Sequence, residues 1–295
     1  MVYKESELKE MALPISSTEH DKCKHAIEMV KDALVEGGYV LSKSLSNYTN
    51  EKDSYAYYYE LRDNNSSITI LLQGSYANNT NVRTYSDVDV SIVSNSIFSY
   101  DFGSYKSNIV RVLTNKFGSN EVTRNNKSIN IKGNTYRKTI DVVPAFQNDI
   151  TNIKKGIYFY TDNGIKITNY PALQIDNENE KNAKTKYNFK KYVRIFKCLR
   201  YTMEQCKYSY ASKIGSFQVE SLLWNLPNEC FKEYTYCLGG GVMFIIKYLV
   251  DHKYAVASYC ESNGVKMLCP SDNDASNIRG FIDELTRFFQ YDGVN

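Results

Sequence analysis

The stretch LLQGSYANNTNVRTYSDVDVSIV, residues 71–93, decides the fold of this chain. Its apolar start continues the β-branched run that begins at Ile68, and this run predicts a buried strand. Gly74 and Ser75 then interrupt the strand, and a residue without a Cβ lets backbone amides approach a ligand closely. The residues that follow are able to open a short helix, whose N-terminus favours anions. The pattern therefore predicts a phosphate-binding turn between two strands.

A pair of aspartates begins the second of these strands. Asp87 and Asp89 alternate with valines, so we expect both carboxylates on one face of the strand. Neighbouring carboxylates repel each other unless a cation lies between them, and oxygen ligands suit Mg²⁺. A third carboxylate, Asp141, lies in the strand-like run at 136–143. These three residues are the candidate metal ligands and catalytic residues of a nucleotide-transfer site. Acidic residues that only improve solubility at strand ends are the alternative interpretation.

Composition excludes several classes of protein. A net charge of +3 over 295 residues gives no bulk basicity of the kind that marks a nucleic-acid binder. The seven cysteines form no CxxC pair and lie at no ligand spacing from the three histidines, which predicts free thiols in a reducing cytosol and no structural zinc. No apolar run approaches the roughly 18–20 residues that span a bilayer. We therefore expect a cytoplasmic protein without a membrane contact.

The chain is predicted to form two lobes. Residues 6–36 have the pattern of a long N-terminal helix, with an interruption at Pro14 as an alternative. Short strands follow, and from about residue 179 the pattern is helical. We expect an α+β fold in which residues 1–175 form a catalytic lobe with a mixed sheet, helices and the N-terminal helix. Residues 176–295 form a helical lobe that completes the nucleotide site.

The segment at 184–206 predicts a helix with an unusual basic stripe. At about 100° per residue, its apolar residues fall on one broad arc. Four cations form a separate, narrow arc: Lys186, Lys190, Arg194 and Lys197. A solvated helix face is the ordinary interpretation of such a stripe. Because the arc contains no acid to balance its charges, we expect at least one of these residues to contact a triphosphate. Ser216, further along, has the position of an N-cap for the next helix.

Four stretches together resemble the nucleotidyltransferases of the DNA polymerase β superfamily, and within it the clade E members of the bacterial cGAS/DncV-like nucleotidyltransferases. They are QGSY…SDVDV at 73–90, DVVPAF at 141–146, IDNENEKNAKTKYNFKKYVRIFK at 175–197 and GSFQVESLLWNLP at 215–227. The first is common to the whole superfamily, whereas the third and fourth are far more specific. The resemblance implies a polymerase β-like nucleotidyltransferase lobe and a C-terminal helical lobe, bridged by the long N-terminal helix.

The resemblance also implies a metal and a donor site. Asp87, Asp89 and Asp141 would hold two Mg²⁺ ions, with Mn²⁺ as an alternative metal. The residues that would bind the donor triphosphate are Gly74, Ser75, Lys197 and Ser216. Phe217, where family members often have tyrosine, would stack on the donor base without the polar contact of a hydroxyl.

Two asparagines are candidates for base selection by the same resemblance. Asn179 and Asn182 lie in the segment that faces bases in the family. An amide has both a donor and an acceptor for the edge of uracil, so we expect UTP, with or without ATP, among the substrates. A helix cap is the alternative role of Asn182.

Members of this family join nucleoside triphosphates into cyclic di- or trinucleotides, which signal phage infection to a downstream effector in CBASS defence. The chain lacks the His/Cys zinc insertion of animal cGAS, so activation by double-stranded DNA is not expected. Two other functions stay open. One is a nucleotidyltransferase that makes linear oligonucleotides or modifies an RNA, protein or drug acceptor. The other is a non-catalytic nucleotide-binding scaffold, against which the intact set of aspartates with Gly74 and Ser75 argues.

Overall fold

A computed structural model describes residues 1–47, 54–62, 67–83, 86–95, 101–149, 151–232 and 237–293. Its elements are numbered in chain order. Up to residue 170 they are β1 (Val2–Tyr3), α1 (Glu5–Ala12), α2 (Ser17–Glu36), β2 (Val40–Asn47), β3 (Tyr57–Arg62), β4 (Ser67–Gln73), α3 (Gly74–Ala77), β5 (Val88–Ser94), α4 (Phe102–Phe117), β6 (Val122–Arg124), β7 (Ile129–Ile131), β8 (Ile140–Gln147), β9 (Ile157–Tyr160) and β10 (Lys166–Asn169). Beyond it they are α5 (Pro171–Lys184), α6 (Phe189–Gln205), α7 (Ser216–Trp224), α8 (Leu238–Asp251), α9 (Asp272–Phe288) and β11 (Gln290–Tyr291). Short 3-10 helices lie at Ile153–Lys155, Asn228–Phe231 and Ala255–Ser258.

The chain divides into two compact units. Ile15–Ile175 form a strand-rich unit, and Met1–Pro14 with Asp176–Asn295 form a helical unit. The predicted lobes assigned residues 1–14 to the catalytic lobe, and this assignment is wrong. Leu8 and Ala12 on α1 are buried in the apolar core of the helical unit, where α1 packs on α6.

The strand-rich unit is built on a mixed sheet. Seven of its strands follow the order β10-β9-β8-β5-β4-β3-β2, and β7 pairs with β8 and with β6. The pairing of β5 with β8 is parallel, and every other pairing in this sheet is antiparallel. Because β5 is hydrogen-bonded to β8 on one side and to β4 on the other, Asp89 lies on a central strand of the sheet.

The two faces of this sheet differ in what they bury. On one face, side chains of β4, β5 and β8 such as Leu72, Val90 and Val142 share a core with α2 and α4. On the opposite face, Leu71 and Val93 belong to a smaller apolar cluster. Strand alternation assigns the odd-numbered residues of β5 to this second face, so Asp89 lies on the face opposite the core that contains α2 and α4.

The N-terminal helical segment consists of two helices. α1 ends at Ala12, Leu13 is extended with a φ of −69° and a ψ of 143°, and α2 begins at Ser17. Proline lacks an amide hydrogen and disfavours helical geometry in the residue before it, which places the break at Pro14. The Ser16 side chain accepts a hydrogen bond from the Glu19 amide at 3.2 Å and so caps α2.

The helical unit joins both ends of the chain. β1 pairs in parallel with β11, and the Glu5 carboxylate accepts hydrogen bonds from the Leu238 and Gly239 amides at the start of α8. All seven cysteine thiols of the chain are free. Among the described residues, no helix is both long enough and apolar enough to cross a membrane.

Candidate active site

The register of the sheet places polar residues at one level of four neighbouring strands. Asp89 on β5 lies opposite Asp141 on β8 in the parallel pair, and opposite Gln73 on β4 in the antiparallel pair. On β7, Asn130 pairs with Asp141 and donates a hydrogen bond from Nδ2 to its Oδ1 at 3.0 Å. Two of the three predicted carboxylates are therefore direct neighbours across the sheet. Asn130 was not predicted, since its only signal is a position between two apolar residues of a three-residue strand.

Gly74 packs directly against one of these carboxylates. Its φ is +69°, and a Cβ built at this position would lie 2.2 Å from Oδ2 of Asp89. Any side chain at position 74 would therefore displace the aspartate, and the left-handed backbone also favours glycine. Ser75 follows in α3 and is half-buried. The glycine that was predicted to admit a ligand is thus required by the packing of Asp89 as well.

The third predicted carboxylate, Asp87, is exposed and immediately precedes β5. The Val88 amide donates to the Thr139 carbonyl at 3.0 Å, which ties this end of β5 to the start of β8. Desolvation of its carboxylate by the surrounding protein raises the pKa of Asp87. The negative charge of Asp141 raises this pKa further, whereas the positive charge of Lys138 lowers it. Asp87 and Asp141 are therefore close enough to repel each other.

The chemistry of these three carboxylates fits a divalent cation. All supply oxygen ligands, and a cation would relieve the repulsion that raises the pKa of Asp87. Within the described part of the chain, no three acidic, histidine or cysteine side chains are gathered closely enough to hold a metal as they stand. Asp87, Asp89 and Asp141 stay the predicted ligands.

In the helical unit, Ser216 and Phe217 form the first turn of α7. The sequence predicted Ser216 as the N-cap of this helix, and this prediction is wrong, because the N-cap is Gly215. The Gly215 amide donates a hydrogen bond to Oε1 of Gln218 at 2.8 Å. Ser216 and Phe217 are half-buried, whereas the next residue of the apolar face, Val219, is fully buried. Both side chains therefore stand apart from the core, and their contact with a nucleotide stays a prediction.

The predicted basic helix is different in the structure. α5 ends at Lys184, and Lys186 and Tyr187 have φ values of 55° and 62°, so α6 begins only at Phe189. Lys186 is exposed in the turn between the two helices. The prediction of one continuous helix over residues 184–206 is therefore wrong for Lys186, which does not share a helix with Lys190, Arg194 and Lys197.

The three cations of the stripe that do lie on α6 are buried and hydrogen-bonded within the helical unit. Lys190 donates to Oδ1 of Asn179 at 2.6 Å, and Arg194 donates from Nε to the Ala12 carbonyl at 2.7 Å. Lys197 forms an ion pair with Glu220. A solvated basic face is therefore wrong for these residues, and a phosphate contact of Lys197 stays a prediction.

The two candidate base-selecting asparagines are almost completely buried. Asn179 accepts the hydrogen bond from Lys190 described above. Oδ1 of Asn182 accepts from the Lys190 backbone amide, the second residue of α6, at 3.1 Å. The side chain of Asn182 thus caps α6, which was the alternative role, although the helix it caps is the following one and not its own. The cap occupies Oδ1 of Asn182, and base selection by this residue stays a prediction.

Replacement of Asn182 tests the capping role. We expect Asn182→Ala to lower the free energy of unfolding by about 1 kcal/mol, as loss of a helix cap does. We expect the base composition of the reaction product to stay as in the unmodified protein. Denaturant unfolding and product mass spectrometry on the same preparation decide the matter. Normal stability together with an altered choice of nucleotide would assign Asn182 to base selection instead.

Lys181 on α5 also has buried structural contacts. The Lys181 ammonium donates to the Leu226 carbonyl at 2.6 Å and to Oδ1 of Asn228 at 3.3 Å, and it lies over the rings of Phe189 and Phe231. Burial lowers the pKa of Lys181 to about 8. Its role is therefore to satisfy the carbonyl groups that follow the end of α7.

Two lysines of α5 give a matched comparison of stability. Lys181→Met should lower the free energy of unfolding by about 1–3 kcal/mol, because the Leu226 carbonyl loses a charged donor in a buried place. Lys184→Met removes only an exposed pair with Glu180 and should cost less than about 0.5 kcal/mol. Chemical denaturation of both variants measures this difference, and equal losses would contradict the assigned role of Lys181.

Comparisons with known proteins now bear on these sites. The family model of the cGAS/DncV-like nucleotidyltransferase C-terminal helical domain matches residues 176–290, and that of the nucleotidyltransferase domain matches residues 59–162. The cyclic GMP-AMP synthase CdnE03 of Staphylococcus schleiferi is 34% identical to the chain, over 99% of this chain and 98% of that one. The chain belongs to the bacterial cGAS/DncV-like nucleotidyltransferases of clade E.

Other members of the family agree with this placement. The cyclic dipyrimidine nucleotide synthase CdnE of Cecembia lonarensis is 32% identical, over 79% of this chain and 78% of its own length. The solved structure of the CdnE cyclic dinucleotide synthase of Elizabethkingia meningoseptica with GTP and Apcpp has a TM-score of 0.76 at 28% identity, and covers 97% of this chain and 98% of that one. This cGAS/DncV-like protein is therefore a nucleotidyltransferase in a family of cyclic oligonucleotide synthases. Nucleotides are its substrates, and enzymes of this family use divalent metal ions.

Proposed function

We propose that this protein joins two nucleoside triphosphates into a cyclic dinucleotide, a second messenger of CBASS antiviral signalling. The observation that carries the proposal is the register of the sheet, in which Asp89 lies opposite Asp141 and against Gly74. A nucleotidyl transfer needs such paired carboxylates beside a turn that admits a phosphate. The relatives named above are cyclic nucleotide synthases, and the chain matches most of their length. This similarity supports cyclisation of the product.

The acidic residues would hold the metal. Asp87, Asp89 and Asp141 are the ligands that we assign to two Mg²⁺ ions, with Mn²⁺ as the alternative. When bound, these ions would make the attacking hydroxyl more acidic and neutralise the charge of the departing pyrophosphate. Asn130 fixes Oδ1 of Asp141, so the carboxylate that we assign to the acceptor side is held in one orientation.

The residues that we assign to the donor nucleotide are those that the family resemblance indicates. Gly74 and Ser75 would contact the triphosphate through the turn that follows β4, and Ser216 and Lys197 would do so from α7 and α6. Phe217 would stack on the donor base, for which an aromatic face is sufficient. Each of these contacts adds binding energy that is independent of the base, so base choice needs other groups.

The choice of bases is the least constrained part of the proposal. We assign ATP and GTP as first substrates, because the Staphylococcus schleiferi relative at 34% identity is a cyclic GMP-AMP synthase. UTP is the second candidate, since the Cecembia lonarensis relative is a cyclic dipyrimidine nucleotide synthase. Asn179 and Asn182 stay the candidate base-selecting residues, although Oδ1 of Asn182 also caps α6.

A product analysis tests the function directly. The purified protein is incubated with each nucleoside triphosphate and with all pairs in the presence of Mg²⁺, and the products are identified by mass spectrometry before and after phosphatase treatment. We expect a product that resists phosphatase, because a cyclic dinucleotide has no terminal phosphate. A phosphatase-sensitive product would establish the linear alternative, and absence of any product would favour the scaffold.

A further inference from the structure

The strand that carries Asp141 is covered along one edge by two separate hairpins. The first three residues of β8 pair with β7, and its last two pair with β9. Residues 143–145 of β8 lie between these two stretches, where neither register continues. The hairpin of β6 and β7, which carries Asn130, is therefore joined to β8 by a ladder of only three residue pairs.

A buried lysine of α4 lies at the tip of the β6–β7 hairpin. The side chain of Lys106 is 0% exposed, and its ammonium donates to the carbonyls of Asn125 and Asn126 at 2.6 and 3.1 Å. Its third contact is Oδ1 of Asp162 at 2.9 Å. An ammonium has three donors and is costly to bury without partners, so these contacts use its full capacity. Lys106 thereby ties α4 to the tip of the hairpin.

Asp162, in the turn between β9 and β10, joins the two hairpins to each other. Its carboxylate accepts hydrogen bonds from Nε and Nη2 of Arg124, the last residue of β6, at 3.2 and 2.9 Å. Its backbone amide donates to the Asn126 carbonyl at 3.0 Å. The hydrogen bonds from Arg124 lower the pKa of Asp162 to about 2, against desolvation and with support from Lys106, so the carboxylate is ionised at neutral pH. We call Lys106, Arg124 and Asp162 the hairpin clamp.

The clamp lies close to the residue that orients Asp141. Only residues 127 and 128 separate Asn126, which the clamp holds, from the start of β7 at Ile129. Ile129 is fully buried, and the next residue, Asn130, donates the hydrogen bond to Oδ1 of Asp141. A displacement of the tip would therefore be transmitted over a few residues of chain to the amide of Asn130.

We propose that the hairpin clamp holds β7 in the position from which Asn130 orients Asp141 for nucleotide transfer. Lys106 is a positioning residue in this account, because it acts through the hairpin and through Asn130. The catalytic part of the proposal rests on the assignment of Asp141 under the proposed function. The position of the hairpin is measurable without a nucleotide, so the two are tested separately.

The first test is kinetic and uses a double variant. Lys106→Met keeps the apolar stem and should lower kcat by about tenfold, because contacts that orient a metal ligand typically contribute ten- to a hundredfold. KM for the nucleoside triphosphates should change by less than about twofold, since the donor is assigned to other residues. Asn130→Ala should lower kcat by about tenfold or more. The double variant should be no slower than Asn130→Ala, because the clamp then has no residue through which to act.

A lysine of the same helix is the matched control. Lys116 on α4 forms an ion pair with Glu36, and its side chain is partly exposed. Lys116→Met therefore removes a charge and an ion pair from α4 without altering the hairpin. It should leave kcat and KM as in the unmodified protein.

The second test needs no nucleotide. The side-chain amide signal of Asn130 in a nitrogen-15 NMR spectrum is identified by its loss in Asn130→Ala. This signal should shift in Lys106→Met and stay unchanged in Lys116→Met. Amide hydrogen exchange over residues 122–131 should be faster by about tenfold in Lys106→Met alone, because the tip is no longer held.

Each outcome decides a different point. A protein without product but with the expected NMR and exchange changes would overturn only the proposed function. A folded Lys106→Met protein with an unchanged Asn130 signal and unchanged exchange would overturn the clamp. Losses of kcat that multiply in the double variant would overturn its action through Asn130. If Lys106→Met fails to fold, Asp162→Asn, which removes the charge of the partly exposed partner, should show the same changes and decides in its place.

Discussion

Asp89→Asn should abolish nucleotide transfer while leaving the fold intact. Asp89 is half-buried at the centre of the sheet, opposite Asp141, and its replacement keeps the shape of the side chain. The loss of one negative charge weakens the site that we assign to the metal, and such a metal contributes several kcal/mol of transition-state stabilisation. We expect activity to fall by about a thousandfold or more, which corresponds to about 4 kcal/mol.

The measurement is the rate of product formation from ATP and GTP with Mg²⁺, together with a thermal unfolding curve of the same preparation. Asp21→Asn is a matched control, since it removes the same charge from an exposed position on α2 of the same unit. It should retain nearly full activity. A folded Asp89→Asn protein with more than a few per cent of the original rate would refute the assignment of Asp89.

Gly74→Ala is expected to have the second large effect, through the geometry of the same carboxylate. The added Cβ would lie 2.2 Å from Oδ2 and 2.8 Å from Cγ of Asp89, so the aspartate has to move. The φ of +69° adds a backbone cost of about 1 kcal/mol for a residue other than glycine. We expect a loss of activity of about a hundredfold or more, since displacement of a catalytic group by about 1 Å has effects of this size.

Gly164→Ala separates the packing effect from the backbone effect. Gly164 has a φ of +79°, close to that of Gly74, but a Cβ there would meet no atom within 4 Å. It should lose a similar amount of stability from the backbone and keep its activity. Initial rates and unfolding midpoints of the two variants make the comparison. Equal activity of Gly74→Ala and Gly164→Ala would mean that Asp89 needs no particular position.

The sequence predicted the strand that ends at Gly74 and the strand that carries Asp89, because the pattern there is local. Apolar residues alternate with Asp89 on a single strand, and the run that enters Gly74 has no competing interpretation. The segment at 184–206 failed for the opposite reason. Two residues with positive φ, Lys186 and Tyr187, start a turn inside it, and neither is a glycine that would have marked the break.

The partners of buried polar groups also escaped prediction. Lys197 was expected to face a phosphate, and its ion pair with Glu220 depends on the packing of α6 on α7. Glu220 carried no signal of its buried pair with Lys197, because single acidic residues on amphipathic helices are ordinarily exposed. Asn182 was correctly considered as a helix cap. The helix that it caps is α6, which follows a turn that the sequence did not reveal.

The sequence by itself identified the family and the turn at Gly74 and Ser75, and it predicted Asp87, Asp89 and Asp141 as metal ligands, because these depend on residue type and short spacing. The tertiary structure alone decided which of these side chains adjoin, since the parallel register of β5 and β8 joins residues about fifty positions apart. It also decided that α1 belongs to the helical unit and that Lys190, Arg194 and Lys197 are buried. The physical reason is that burial and pairing of charges depend on the packing of distant elements, which leaves no mark in local sequence.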